Sequence, residues 1–186
     1  MRRLTILAAA LGTAMMVTMN VGAFAQLPSN PDNPNDKIPD AASPPPYGEP
    51  INLETAKKVA DAAIAETAKR GRNSFCIAVV NPAGELVYFV KQDNCQNASV
   101  TISQHKGRTA ARYRRPTLAF ENLLGKGAYF SYLATLDDVI ASRGGNMLVS
   151  GGKVVGAIGV SGGTGSQDDV VSQAGAAGLP STTGSK

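Results

Sequence analysis

Histidine, cysteine and tryptophan are scarce in this chain of 186 residues, which has one histidine, two cysteines and no tryptophan. A dedicated zinc site needs several histidine or cysteine ligands at short spacing, so such a site is not expected. Residues 159–163 read G-x-S-x-G, the pattern of a hydrolase nucleophile. The single histidine precedes this motif, whereas the hydrolase fold places it afterwards. A serine hydrolase is therefore not favoured.

Long apolar runs are also missing, except at the start of the chain. Arg2 and Arg3 are followed there by an apolar run and then by Ala23-Phe24-Ala25 before Gln26. This pattern is typical of a secretory signal peptide, here residues 1–25, with cleavage after Ala25. A membrane anchor is the alternative, but polar residues interrupt the run. No other stretch approaches the roughly 20 apolar residues of a spanning helix. We therefore predict a periplasmic or secreted protein.

A strong excess of charge of one sign is absent. Without Arg2 and Arg3, 16 basic residues face 14 acidic ones. This balance does not support a nucleic-acid partner, because such proteins carry a broad basic surface. One local basic segment remains, residues 103–116, with five basic residues and no acidic one.

Proline is concentrated in one part of the chain: eight of the eleven prolines lie within residues 27–50. This composition predicts that residues 26–50 form an extended, disordered linker. A surface-hugging arm is the alternative for its last few residues. The folded domain is then expected over residues 51–180, a size that suits one core, with a short tail at 181–186.

Cys76 and Cys95 permit one disulfide in an exported protein. Cys76 lies in an apolar, strand-like run and Cys95 in a polar loop, and the sequence does not place their Cα atoms within bridging distance. A buried Cys76 with a separate Cys95 is the alternative.

Hydrophobic periodicity predicts the order of elements. A helix capped by Asn52 is predicted to end near Gly71, and the runs SFCIAVV and ELVYFV form a hairpin. Ser99 is expected to cap a helix that runs to about Arg114, and Pro116 to open a short one. A second hairpin turns at residues 151–152. The last helix opens at Ser166, with Asp168 and Asp169 as caps.

The first hairpin is apolar on both faces of its strands, and such strands need layers above and below. We therefore predict an α/β (α+β) domain with a mainly antiparallel sheet of about five strands, flanked by helices on both faces.

The basic segment lies on the predicted second helix. At helical spacing His105, Arg108, Thr109 and Arg112 share one stripe, and Arg115 lies beside it. Like charges on one stripe repel unless an anion answers them, which indicates an anionic ligand. The alternative is a solvated face paired with acidic residues from elsewhere. The pair Asp137-Asp138 is interpreted as ordinary surface.

The sequence resembles the GlcG/HbpS family of heme-binding or heme-degrading proteins, related to the C-terminal domain of PduO-type proteins. The resemblance covers about residues 52–179. Its marks are NLETAKKVADAAIAETAKRG, IAVVNPAGELVYF, the DNC loop, KGRTAARYRRPT and GGKVVGAIGVSGGTGSQDDVVSQAGAAGL. It implies a similar sandwich, heme or another small anionic ligand, a homo-oligomer, and a membrane sensor or transport partner.

The family's K-A-R-T-A-A motif matches Lys106, Arg108, Thr109, Ala110 and Ala111, whereas Gly107 replaces an alanine. His105 stands just before the motif, at a position the family does not reserve for histidine. Residues 129–149 depart further, because many relatives have E-G-G-x-P where this chain has residues 143–147 as RGGNM.

We therefore expect an exported heme-binding protein that acts as a ligand-binding or sensor-accessory module. Weak heme degradation is a further activity that this interpretation leaves open. Neutral imidazole is a common iron ligand, and arginine suits the propionates. His105 is the candidate iron ligand, and Tyr113 is a second one. The alternatives are an accessory protein or enzyme for a small organic acid, and a structural homo-oligomer. The candidate heme- or anion-binding residues are His105, Lys106, Arg108, Thr109, Arg112, Tyr113 and Arg115.

Overall fold

The computed structural model describes residues 43–181, so the predicted signal peptide, most of the linker and residues 182–186 lie outside the described residues. None of the helices within residues 43–181 is long and apolar enough to cross a membrane. The elements are α1 (Leu53–Lys69), β1 (Cys76–Val80), β2 (Leu86–Lys91), α2 (Asn97–Tyr113), α3 (Thr117–Leu124), a 3-10 helix (Ala128–Thr135), β3 (Gly145–Ser150), β4 (Lys153–Ser161) and α4 (Gly165–Ala177).

The strands form one sheet in the order β2-β1-β4-β3, and every neighbouring pair is antiparallel. The predicted fold class is confirmed, with four strands in residues 43–181 where about five were expected. Helices α1 and α4 cover one face of the sheet and α2 covers the other. All five residues of β1 are buried, which explains why its sequence is apolar on both faces.

The larger core lies between the sheet and the α1/α4 layer. Alternate side chains of β1, Ile77 and Val79, belong to it, whereas Val80 belongs to a smaller cluster with Ala110 and Ala111 of α2. The α2 side of the core is thus made of small residues, and α2 lies close to the sheet.

Two helix starts differ from the prediction. Helix α2 begins at Asn97, and Ser99 is not its cap: its buried hydroxyl accepts a hydrogen bond from Ser161 at 2.9 Å. Helix α4 begins at Gly165 with Thr164 as its cap, in a reciprocal pairing with Gln167. The predicted caps, Asp168 and Asp169, are instead buried residues with partners farther away.

Cys76 and Cys95 form a disulfide, with their Cα atoms 5.9 Å apart. Strand pairing explains the proximity, because Cys76 lies opposite Lys91 at the end of β2. The chain leaving β2 therefore returns past Cys76 within a few residues. The question that the sequence left open is settled by this register.

The last part of the proline-rich segment lies against the domain. Gly48 donates to the Val154 carbonyl at 2.9 Å and Val154 donates to the Pro46 carbonyl at 2.8 Å. The Tyr47 hydroxyl donates to the carbonyl of Arg112 at 2.7 Å, at the end of α2. These residues take the arm arrangement that was the alternative for the end of the linker.

Candidate functional site

Helix α2 lies close to the sheet because glycine faces glycine at their contact. A Cβ at Gly107 would lie 3.3 Å from the amide nitrogen of Gly159, and a Cβ at Gly159 would overlap the carbonyl oxygen of Ser103. The departure from alanine at Gly107, which weakens an isolated helix, thus suits this close approach. The contact fixes which face of α2 points outward.

Lys106 is on the inner side of α2 and is 1% exposed. Its ammonium lies 2.7 Å from a carboxylate oxygen of Asp168, and the other oxygen of Asp168 accepts a hydrogen bond from the Gly163 amide at 2.9 Å. Burial raises the pKa of Asp168, whereas the Lys106 ammonium and the hydrogen bonds from backbone amides oppose this rise. Lys106 is therefore engaged in the interior, apart from the outward stripe.

Arg108 and Arg112 lie on the outward side, and both pair with Asp138. The Arg108 guanidinium is 3.3 Å from one carboxylate oxygen, and the Arg112 guanidinium contacts the other. Arg112 also donates to the carbonyl of Ala83, in the turn between β1 and β2, at 2.8 Å. The two arginines form a fork around one carboxylate. For these two residues the structure therefore shows the alternative given above, a basic face paired with an acidic residue from elsewhere in the chain.

Residues 136–140, here called the covering segment, are attached to α2 by two further side chains. The Thr109 hydroxyl donates to the carbonyl of Asp138 and accepts from the amide of Ile140 at 3.0 Å. The Tyr113 hydroxyl donates to the carbonyl of Asp137 at 2.8 Å. Asp138 has φ of +59°, a left-handed conformation that residues other than glycine seldom adopt.

His105 is half-buried, on the same outward side as Arg108 and Arg112. Its Nε2 atom is buried and has no hydrogen-bond partner among residues 43–181. A buried polar atom without a partner costs about 1 to 3 kcal/mol, and each one calls for an explanation. A ligand to this nitrogen would supply one.

Arg115 follows the end of α2 and is engaged differently from the other arginines. Its Nε donates to the Tyr113 carbonyl at 3.3 Å, and its guanidinium lies 5.8 Å from the centroid of the Phe120 ring. Burial lowers its pKa, and the neighbouring Arg114 lowers it further. Within the described residues no carboxylate forms an ion pair with Arg115, so its charge is open to an anionic ligand.

The structure therefore brings Arg108, Thr109, Arg112 and Tyr113 beneath the covering segment. His105 lies one turn before Thr109, Arg115 lies beyond the end of α2, and Lys106 is in the interior. Sequence reasoning missed Asp138, which had been interpreted as ordinary surface. The only signal for it was the uncompensated stripe, which called for an acid without saying which one.

This fold and this helix define a class: an α+β domain in which a basic helix crosses an antiparallel sheet, with its arginines on the outer side. The chain belongs to the HbpS-like family, because the family model described as "Haem degrading protein HbpS-like" matches residues 51–177. The resemblance to the GlcG/HbpS family is thereby confirmed.

Individual relatives agree with this assignment. The chain is 38% identical to Protein GlcG of Escherichia coli strain K12 over 109 residues, which are 57% of this chain and 80% of GlcG. A crystal structure of a double mutant of HbpS from Streptomyces reticuli is similar at 28% identity and a TM-score of 0.65, covering 72% of this chain and 90% of that chain. The structure of a PduOC:heme complex shares the fold at 19% identity and a TM-score of 0.64, covering 70% and 95% of the two chains.

Proposed function

We propose that this protein is an exported heme-binding protein that holds its ligand on the outward side of α2. The observation that carries the proposal is the buried, unpartnered Nε2 of His105 on the same side of α2 as Arg108 and Arg112. The family description, which names heme degradation, supports heme as the ligand. The disulfide supports export, because such bonds persist in oxidising compartments.

The residues of α2 fit a molecule with a metal at its centre and carboxylates at one edge. His105 and Arg112 are seven positions apart, which is about 10 Å along a helix, and long arginine side chains bridge such a span. His105 would bind the iron, and Arg108, Arg112 and Arg115 would bind the propionates. Tyr113 is the second candidate iron ligand. Lys106 and Thr109 do not contact the ligand and only help to hold the site in place, since both are buried as well as bonded to protein partners.

Titration of hemin into mature protein tests the proposal. We expect a Soret shift on binding, a changed Soret band in His105→Ala, and affinity weakened by about 1 to 3 kcal/mol in Arg112→Ala, the scale of a charged hydrogen bond. Arg70→Ala is the matched control, because Arg70 is a surface arginine at the C-cap of α1 and is paired with Glu66. Spectra and affinities equal in all four proteins would contradict the proposal. Loss of the Soret band after addition of a reductant in the presence of dioxygen would indicate oxidative heme degradation as well.

A second candidate function is binding of a small organic acid without heme. The fork of Arg108 and Arg112 already holds one carboxylate, that of Asp138, which favours this alternative. Thermal stabilisation by glycolate together with no Soret shift from hemin would support it over the first proposal.

A homo-oligomer is a further proposal, and a structural oligomer without a ligand is the third alternative. Large side chains in the 3-10 helix and directly after it are accessible: Tyr129 is 51% exposed, Tyr132 44% and Leu136 39%. They are available for contact with a second copy of the chain. Light scattering on mature protein decides the assembly, and a monomer at micromolar concentration would contradict it.

A further inference from the structure

The covering segment places a carboxylate where the proposed ligand would need one. Both guanidinium groups of the fork face Asp138, and the hydroxyls of Thr109 and Tyr113 hold the backbone on either side of it. Beneath the same outward stripe, the Nε2 of His105 is buried. The fork is thus occupied by a carboxylate of the chain itself, and His105 lies one helical turn before Thr109, which the same segment engages.

We infer that Asp138 is an internal competitor for the anion site, so that the covering segment must leave α2 before a ligand carboxylate can pair with Arg108 and Arg112. This inference rests on the proposed function and names how the same site is controlled. Asp138 is accordingly a residue that sets specificity: only a ligand that offers more than one small carboxylate contact replaces it.

The chemistry of the competition is an exchange of like for like. A carboxylate of Asp138 and a carboxylate of a ligand make the same charge-assisted bonds to a guanidinium, and the two cannot occupy the fork together. The side chains of Arg108 and Arg112 are 40% and 50% exposed. Ion pairs this exposed contribute little to stability, so Asp138 can be displaced.

Two features of the closed arrangement favour its opening. Asp138 has the left-handed backbone conformation, which aspartate adopts more readily than most residues but which is still less favourable than a helical or extended one. The Nε2 of His105 gains a partner only when water or a ligand reaches it. One contact opposes the opening: Val139 packs on the apolar cluster around Phe120. This packing favours the return of the covering segment to α2 when no ligand is bound.

His105 provides a direct readout without heme, because it is the only histidine in the chain and lies one turn from Thr109, so that we expect opening of the segment to expose it. Untagged mature protein is treated with diethyl pyrocarbonate, and modification of the peptide that carries His105 is followed by mass spectrometry. Asp138→Asn removes the competing charge with almost no change of shape, and we expect modification at least about fivefold faster than in wild type, since weaker pairing opens the segment more often. Asp137→Asn is the matched control, because Asp137 contacts Tyr113 through its backbone carbonyl.

A second variant guards against a trivial loss of folding. Thr109→Val keeps the shape of the side chain and removes both hydrogen bonds to the covering segment, so it should also accelerate modification. Circular dichroism confirms that each variant is folded. Modification of His105 at the wild-type rate in both Asp138→Asn and Thr109→Val would overturn the inference.

Hemin titration of the same proteins separates this inference from the proposed function. Faster modification with tighter hemin binding in Asp138→Asn supports both. Faster modification with no hemin binding in any variant supports the covering role and contradicts heme as the ligand. Hemin binding that is equal in wild type and Asp138→Asn, with unchanged modification, leaves the proposed function standing and overturns the competitor.

Discussion

The two sides of helix α2 use basic residues in opposite ways. On the inner side, Lys106 and Asp168 form an ion pair whose side chains are only 2% and 5% exposed. On the outer side, two positions further along, Arg108 joins Arg112 around Asp138 in contact with solvent. The three basic residues stand within one short sequence motif, yet only burial decides which charge is a fixed part of the fold and which is available for exchange.

The difference follows from solvation. A buried pair has paid a large desolvation cost, and removing one partner leaves the other as an uncompensated buried charge. An exposed pair exchanges its partner for water at little cost. The inner pair therefore serves to hold α2 against α4, and the outer pair is suited to exchange its carboxylate for that of a ligand.

The largest difference in stability between the two sides is expected when Asp168 is changed. Asp168→Asn leaves the buried Lys106 ammonium without its counter-charge, and we expect a loss of about 3 to 5 kcal/mol in the free energy of unfolding. Asp138→Asn, the same chemical change on the outer side, should cost less than about 1 kcal/mol. Urea denaturation of both variants measures this, and equal losses would contradict the assignment of the two sides.

The close contact of α2 with the sheet gives the next largest effect. A Cβ at Gly159 would overlap the backbone of Ser103, so Gly159→Ala must push α2 away from the sheet. Strain of this kind usually costs about 1 to 3 kcal/mol. Gly125→Ala is the control, because a Cβ there would meet nothing nearer than a carbonyl oxygen at 3.5 Å. Equal stability of the two variants would mean that the inner side of α2 is not tightly packed.

The sequence predicted this contrast only in part. Helical spacing correctly placed Arg108 and Arg112 on one side, where both pair with Asp138, because spacing along a helix depends on local geometry alone. Lys106 was included through the family motif, and a motif does not say whether a side chain points inward. Its partner Asp168 is 62 residues away, and only the fold brings the two together.

Long-range partners explain the other misses as well. Asp138 reaches the arginines across 26 and 30 residues, and the disulfide depended on the register between β1 and β2. In contrast, the cap at Asn52 was predictable because its side chain accepts from Thr55, three residues away, at 2.9 Å. The turn at residues 151–152 was predictable too, since both glycines have positive φ.

A third ion pair, exposed to a similar extent as the outer one, sharpens the comparison through pH. Glu121 of α3 accepts hydrogen bonds from the side chain and the amide of Arg143 at 2.8 and 2.7 Å, and the two side chains are about one-third exposed. The side-chain hydrogen bond from Arg143 holds the pKa of Glu121 below its usual range. Asp168 shows the opposite shift, because burial raises its pKa.

The sign of the pH dependence follows from these directions. A carboxyl whose pKa is lower in the folded state stabilises the fold above its unfolded pKa, near 4.3 for glutamate, and loses this contribution as the pH falls through the folded pKa. The difference in unfolding free energy between wild type and Glu121→Gln should therefore shrink as the pH falls from about 5, from a starting value of no more than about 1 kcal/mol for a pair this exposed. Urea denaturation over a pH series measures the difference. A constant difference would show that Glu121 and Arg143 pair too weakly to shift the pKa, whereas a difference that grows as the pH falls would contradict the direction of this shift.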